Sequence, residues 1–150
     1  MPRDEKAIAA RLASLKAELA PDLEVIRLLG TGRMSEVYLA RQASLDRLVA
    51  IKVLSSHTSR DESAQARFDR EAKAAAALQT PHAVSVYRFG HLEDGVPYLV
   101  MQYVQGHDLS AIVKSQGRLA VEQATHYVIQ AARGMEYAHK HGIIHRDIKP

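Results

Sequence analysis

The sequence contains no cysteine. Disulfides and thiolate metal sites are therefore excluded, which fits a reducing compartment. No run of lysine or arginine exceeds two neighbours, and the formal net charge is only +3, so no nucleic-acid footprint is indicated. Unbroken apolar stretches are a few residues long, too short for a bilayer span. The opening residues, MPRDEKAIAA, are charged and lack the apolar segment of a secretory signal. No internal repeat occurs, and the alanine run Ala74 to Ala77 is the sole low-complexity stretch. What remains is ordinary globular chemistry: of 150 residues, 47% are apolar and 25% charged, enough for one domain or two small lobes.

Residues Asp4 to Ala20 place Ile8, Leu12, Leu15 and Leu19 at helical spacing, with Pro21 beyond. This predicts a short amphipathic helix whose simplest role is packing on its own domain. From Leu23 the period changes. LEVIRLLG and EVYLARQ flank GTGRMS and predict a hairpin, and DRLVAIKVL predicts a third strand. A helix follows over Arg60 to Gln79, with Ala64, Phe68, Ala72, Ala75 and Leu78 on one face. AVSVYRFG and VPYLVMQYV predict two more strands joined at Asp94-Gly95. The remainder is helical, most clearly Val121 to Lys140, where Ala124, Tyr127, Val128, Ala131, Met135 and Ala138 form a stripe closed by Gly142. Strands precede helices, which points to two lobes.

Three clusters carry chemistry. Gly30 and Gly32, with Ser35 at a third small position, either make an ordinary hairpin turn or let backbone N–H groups approach an anion. They lead into a strand, which argues against a dinucleotide fingerprint, since that must open a helix. Lys52 sits among apolar neighbours in VAIKVL, and Glu71 falls three residues from Phe68 on an apolar helical face. Either could be surface decoration; the two together favour an inward ion pair able to fix an ammonium against a phosphate. In HGIIHRDIKP, Asp147 could accept a hydroxyl proton and Lys149 hold a phosphoryl oxygen. His139, His141 and His145 lack the carboxylates or regular spacing of a metal site, and His145 reads as a turn histidine.

Taken in order, Gly30-Thr31-Gly32-Arg33-Met34-Ser35-Glu36-Val37, Val49-Ala50-Ile51-Lys52, Glu71 and His145-Arg146-Asp147 resemble the signature set of the protein kinases. MSEVYLAR, RFDREAKAAAAL and PYLVMQYVQG resemble the bacterial serine/threonine kinases most, from about Leu23 to Pro150. The resemblance implies an α+β fold. A five-stranded antiparallel N-lobe with one main helix (21–104) would be followed by the first helices of a helical C-lobe (105–150), residues 1–20 lying outside. It also implies ATP as the phosphate donor and serine or threonine hydroxyls of proteins as acceptors. The Leu29 to Val37 loop would cover the phosphates. Leu29, Val37 and Ala50 would pack on adenine, with Met101 at the back of the pocket and backbone groups of Gln102 and Val104 bonding the base. Lys52 would hold the α- and β-phosphates, kept in place by Glu71. Asp108 would stand near ribose or substrate. Asp147 would be the catalytic base, Lys149 matches the serine/threonine form of the loop, and Arg146 would pair with a phosphorylated activation loop.

Two departures from the family pattern occur. Arg33 and Ser35 stand where these kinases usually carry glycine, and a positive φ at Arg33 would cost of order 1 kcal/mol. The family's Mg2+ ligands are expected beyond residue 150, so the chain alone is expected to be inactive, and its uncovered helical stripe to drive self-association. A cytoplasmic location is expected, with any membrane tether elsewhere. Two competing readings are a non-catalytic ATP-binding or docking module and a small-molecule kinase such as an antibiotic phosphotransferase. HRDIKP disfavours the latter.

Overall fold

The computed structural model describes residues 5–55 and 58–150. Asp4, expected to start the first helix, lies outside them. The chain divides into two units, one comprising residues up to Ala76 with Val86–Tyr103, the other Ala77–Ser85 with Val104–Pro150.

The first unit opens with α1 (Glu5–Glu18) and continues with β1 (Leu23–Thr31), β2 (Ser35–Gln42), β3 (Arg47–Leu54), α2 (Glu62–Ala76), β4 (Val86–His91) and β5 (Pro97–Gln102). The strands form one antiparallel sheet in the order β1-β2-β3-β5-β4. A short 3-10 turn at Ala43–Leu45 joins β2 to β3, and Asp46, expected inside the third strand, caps that turn with φ 48°. The predicted fourth strand loses Ala83 to Ser85, where a turn instead bonds Ala83 N–H to the Thr80 carbonyl.

Successive strand residues point to opposite faces, so register fixes which side chains meet. Val37 lies opposite Lys52, and Lys52 opposite Leu99; Leu39 lies opposite Ala50, and Ala50 opposite Met101. These share one face. Tyr38, Ile51 and Val100 fall on the other, as do Ala40, Val49, Val53 and Tyr98. This second, outer face is the heart of the core, in one cluster with Leu15, Leu19, Leu23 and Val25. Arg88 of β4 pairs with Asp22, just before β1, at 2.8 Å, tying together the two edges of the sheet.

α1 packs against β1, and its Leu15, with Leu19 just beyond the helix, joins the core of the sheet. α2 turns Ala64, Phe68 and Ala72 of its expected stripe inward; Ala75 is only partly buried, and the helix ends at Ala76, short of Leu78.

The second unit contains α3 (Leu109–Gln116) and α4 (Val121–Lys140). Asp108 caps α3, its carboxylate accepting from Ala111 N–H at 2.6 Å. α4 ends as the glycine signal requires. Gly142, at φ 72°, donates to the His139 carbonyl, and Ile143 N–H reaches the Ala138 carbonyl, both at 2.9 Å. Residues 77–85, assigned by sequence to the strand-rich lobe, belong to this helical unit. The reason is visible at Gly134, where an added Cβ would come within 2.9 Å of the His82 carbonyl oxygen. Only a residue without a side chain lets that segment lie so close to the helix.

Candidate functional site

The β1–β2 hairpin carries the glycines. Its tip is closed by Gly32 N–H donating to the Ser35 carbonyl at 2.6 Å. The Met34 carbonyl accepts from Ser55 N–H and from the Thr58 hydroxyl, each at 3.0 Å, which anchors the tip to the segment after β3. A Cβ placed on Gly30 would meet nothing within 4 Å. The chain's own packing therefore does not demand glycine at this position. Open space over a bare backbone is what close approach of an anion requires. Leu29 occupies an irregularity in the β1 pairing between Leu28 and Gly30.

Arg33 does not have a positive φ, so the strain considered for it does not arise. Among the described residues other than glycine, those that do are Asp46 and, in the terminal segment, Arg146 at φ 63°.

Beside the hairpin, the Lys52 ammonium lies 3.6 Å from the Glu71 carboxylate. The two residues come from β3 and α2, 19 positions apart in sequence. Lys52 is 31% exposed and Glu71 69%. The pair forms as read from the sequence, but it is not buried. Glu71 flanks the inward stripe of α2 and does not lie within it, so its carboxylate keeps most of its hydration. A pair this wet contributes about 1 kcal/mol or less to stability. Its value is positional, because it aims an ammonium along the face that also presents Val37, Ala50 and Met101. The Phe68 ring stands under the same ammonium, 5.6 Å from its centroid, an attraction that sequence reading missed. Leu39 and Leu99 also lie on this face; strand alternation from Ala50 and Lys52, combined with register, would have found them.

Glu36 departs from its expected place. Although it belongs to the hairpin loop, register sets it opposite Val53, on the outer face. There its carboxylate is buried and accepts from the Tyr38 hydroxyl at 2.8 Å. Burial, then the adjacent carboxylate, push the Tyr38 hydroxyl well above the ordinary tyrosine range. The side chain of Glu36 thus faces away from Lys52, and only its backbone remains with the loop. Gln102, opposite Val49, ends β5.

The other expected residues belong to the helical unit. Val104 is exposed, and the Asp108 carboxylate is occupied as the α3 cap, which accounts for an acid at that position without a ligand. In the terminal segment the Asp147 carboxylate, 72% exposed, pairs with Lys149 at 3.1 Å. Asp147 N–H donates to His145 Nδ1 at 3.2 Å, the turn role read for that histidine. Acid and ammonium thus stand side by side in water. Among the described residues no group of three or more His, Asp or Glu side chains could hold a metal ion. The residues described therefore do not fit a Mg2+ site.

Known proteins resemble this chain over most of its length. Residues 23–150 match the protein kinase domain family. The serine/threonine-protein kinase PknB of Mycolicibacterium smegmatis is 45% identical over 135 residues, which are 88% of this chain and 22% of that protein. The serine/threonine-protein kinase pkn3 of Myxococcus xanthus is 42% identical over 132 residues, 88% of this chain and 24% of that protein. Among solved structures, the kinase domain of Mycobacterium tuberculosis PknI superposes with a TM-score of 0.72 at 33% identity, over 87% of this chain and 53% of that one. The chain thus spans less than a quarter of those curated relatives and about half of the solved domain.

Proposed function

The chain belongs to the protein kinase domain family, in its bacterial serine/threonine group, and from that premise we propose that its strand-rich unit holds ATP. The observation that carries this reading is the Lys52–Glu71 pair at 3.6 Å on the face shared by Val37, Ala50 and Met101. The triphosphate lies beneath the hairpin of Leu29 to Val37, with Lys52 on its α- and β-phosphate oxygens and adenine against Val37 and Ala50. Met101 backs the base, and the chain from Gln102 to Val104 bonds its edge. In the helical unit Asp147 accepts the proton of a protein serine or threonine hydroxyl, while Lys149 neutralises charge on the transferred group. Arg146 receives a phosphorylated activation segment. This chemistry belongs where ATP is abundant, in the cytoplasm. No described helix is long and apolar enough to cross a membrane.

Phosphoryl transfer draws several kcal/mol from bound metal, and about 1.36 kcal/mol is worth a factor of ten in rate. The chain by itself is therefore proposed to bind nucleotide without measurable transfer. Calorimetric titration of residues 1–150 with ATP tests the binding. A hydrogen bond to a charged group is worth roughly 1.5–3 kcal/mol, so Lys52→Ala weakens ATP binding about 10- to 100-fold, whereas Lys73→Ala, on the exposed side of α2, does not. Equal affinities for all three proteins would refute the site. Transfer of labelled γ-phosphate by the 1–150 chain, abolished by Asp147→Ala, would refute its inactivity.

A further inference from the structure

The family match begins at residue 23, so α1 lies wholly outside it. Even so, α1 is built into the sheet. Leu15 is completely buried, and Leu19 nearly so, in the same cluster as Tyr38 and Ile51. Those two residues stand on the outer face, each one position from a residue of the nucleotide face, Val37 and Lys52. α1 is also pinned by polar contacts at its middle and at its C-terminal end. The Arg11 guanidinium, 8% exposed, pairs with Asp94 at 3.1 Å, and Glu18 accepts from the Glu93 N–H at 2.7 Å. Both partners lie in the β4–β5 turn. An arginine so covered is uncommon on a helix whose only task is to shield apolar surface. Its charge is also felt at the Tyr38 hydroxyl, which in turn donates to Glu36.

A β-strand is one residue thick, so what packs behind it sets the position of what it presents in front. Core packing is dense and transmits small displacements. We propose that α1 is a positioning element of the nucleotide face, with Leu15 and Arg11 as its positioning residues: they hold the Glu36–Tyr38 and Ile51 backs of β2 and β3, and so the placement of Val37 and Lys52. This rests on the nucleotide reading given above. The occupant of the site is the same ATP; what is added is that residues before the family domain tune its binding.

Hydrogen exchange of the 1–150 chain, together with ATP titration, tests the proposal. In Arg11→Ala and Leu15→Ala, amides of residues 36–38 and 50–52 exchange at least tenfold faster, and ATP binds at least fivefold more weakly. Arg11→Lys, which keeps the charge beside Asp94, restores most of both effects. Ala13→Ser, on the exposed side of α1, changes neither. If Leu15→Ala does not fold, Leu15→Val shifts the same amides in the same direction. Unchanged exchange at 36–38 and 50–52 with ATP binding intact overturns the role of α1 and leaves the nucleotide reading standing. Equal impairment by Arg11→Lys and Arg11→Ala overturns the part played by the charge. Failure of the unsubstituted chain to bind ATP sinks the nucleotide reading itself, and the positioning role with it.

Discussion

Replacing Tyr38 by phenylalanine removes one oxygen from the centre of the strand-rich unit and leaves its shape unchanged. Tyr38 is fully buried, and its hydroxyl is the hydrogen-bond donor seen on the buried Glu36 carboxylate, at 2.8 Å. Withdrawing a donor from a buried acceptor costs about 1–3 kcal/mol, so the variant is less stable at pH 8 by about 2 kcal/mol. The gap depends on pH in a defined direction. Burial and Glu36 raise the Tyr38 pKa in the folded chain above its ordinary value near 10. A raised folded pKa gives stability that is complete below the unfolded value and is lost as pH climbs from there toward the folded value. By pH 11 the unfolded wild-type chain gains about 1.4 kcal/mol from ionising this tyrosine, a gain the phenylalanine chain lacks. The difference between the proteins therefore shrinks to well under about 1 kcal/mol at pH 11. Urea unfolding followed by far-ultraviolet circular dichroism at pH 8, 10 and 11 measures it. A gap that stays constant over this range, or a phenylalanine variant more stable at pH 8, would refute the buried donor–acceptor pair.

Further outcomes concern the helical unit. Asp108→Ala deletes the α3 cap and lowers stability by about 1 kcal/mol, read from thermal melts; no change would mean that the Ala111 N–H bond contributes nothing. Gly134→Ala should destabilise despite a helix-propensity gain of roughly 1 kcal/mol, because its Cβ would meet the His82 carbonyl at 2.9 Å; a higher melting temperature would show that residues 77–85 do not lie against α4. Val121, Val128, Ile129, Ile144 and Ile148 are exposed, so the 1–150 chain is expected to self-associate, with Val128→Lys plus Ile129→Lys reducing the effect. Sedimentation showing a monomer at every concentration would count against it.

Several features of this protein follow from stretches of a few residues and so were legible before any coordinates. The 3.6-residue stripe of α2, the glycine stop after α4 and the alternation in VAIKVL depend on local backbone hydrogen bonding and side-chain spacing. The same holds for the hairpin, which needs only its turn and its two flanking runs. From these elements the positions of Lys52 and Glu71 follow, and their opposite charges make the pairing legible too.

What sequence could not decide was which surface each face meets. Glu36 belongs to the loop by position yet to the outer face by register, and register is settled by β3 across the sheet. Asp108, placed near ribose or substrate by the resemblance, serves as a cap because α3 supplies an N–H for it. Segment 77–85 joined the helical unit because Gly134 leaves room for His82, a contact between residues 52 positions apart. The degree to which Glu71 stays wet, and the burial of Leu15 and Arg11 from a helix outside the family domain, were decided in the same way. Local spacing determined which elements form. Which of them cover one another was determined by burial and pairing between distant parts of the chain, because apolar surface and buried charge acquire their free energy only from the partner that removes them from water.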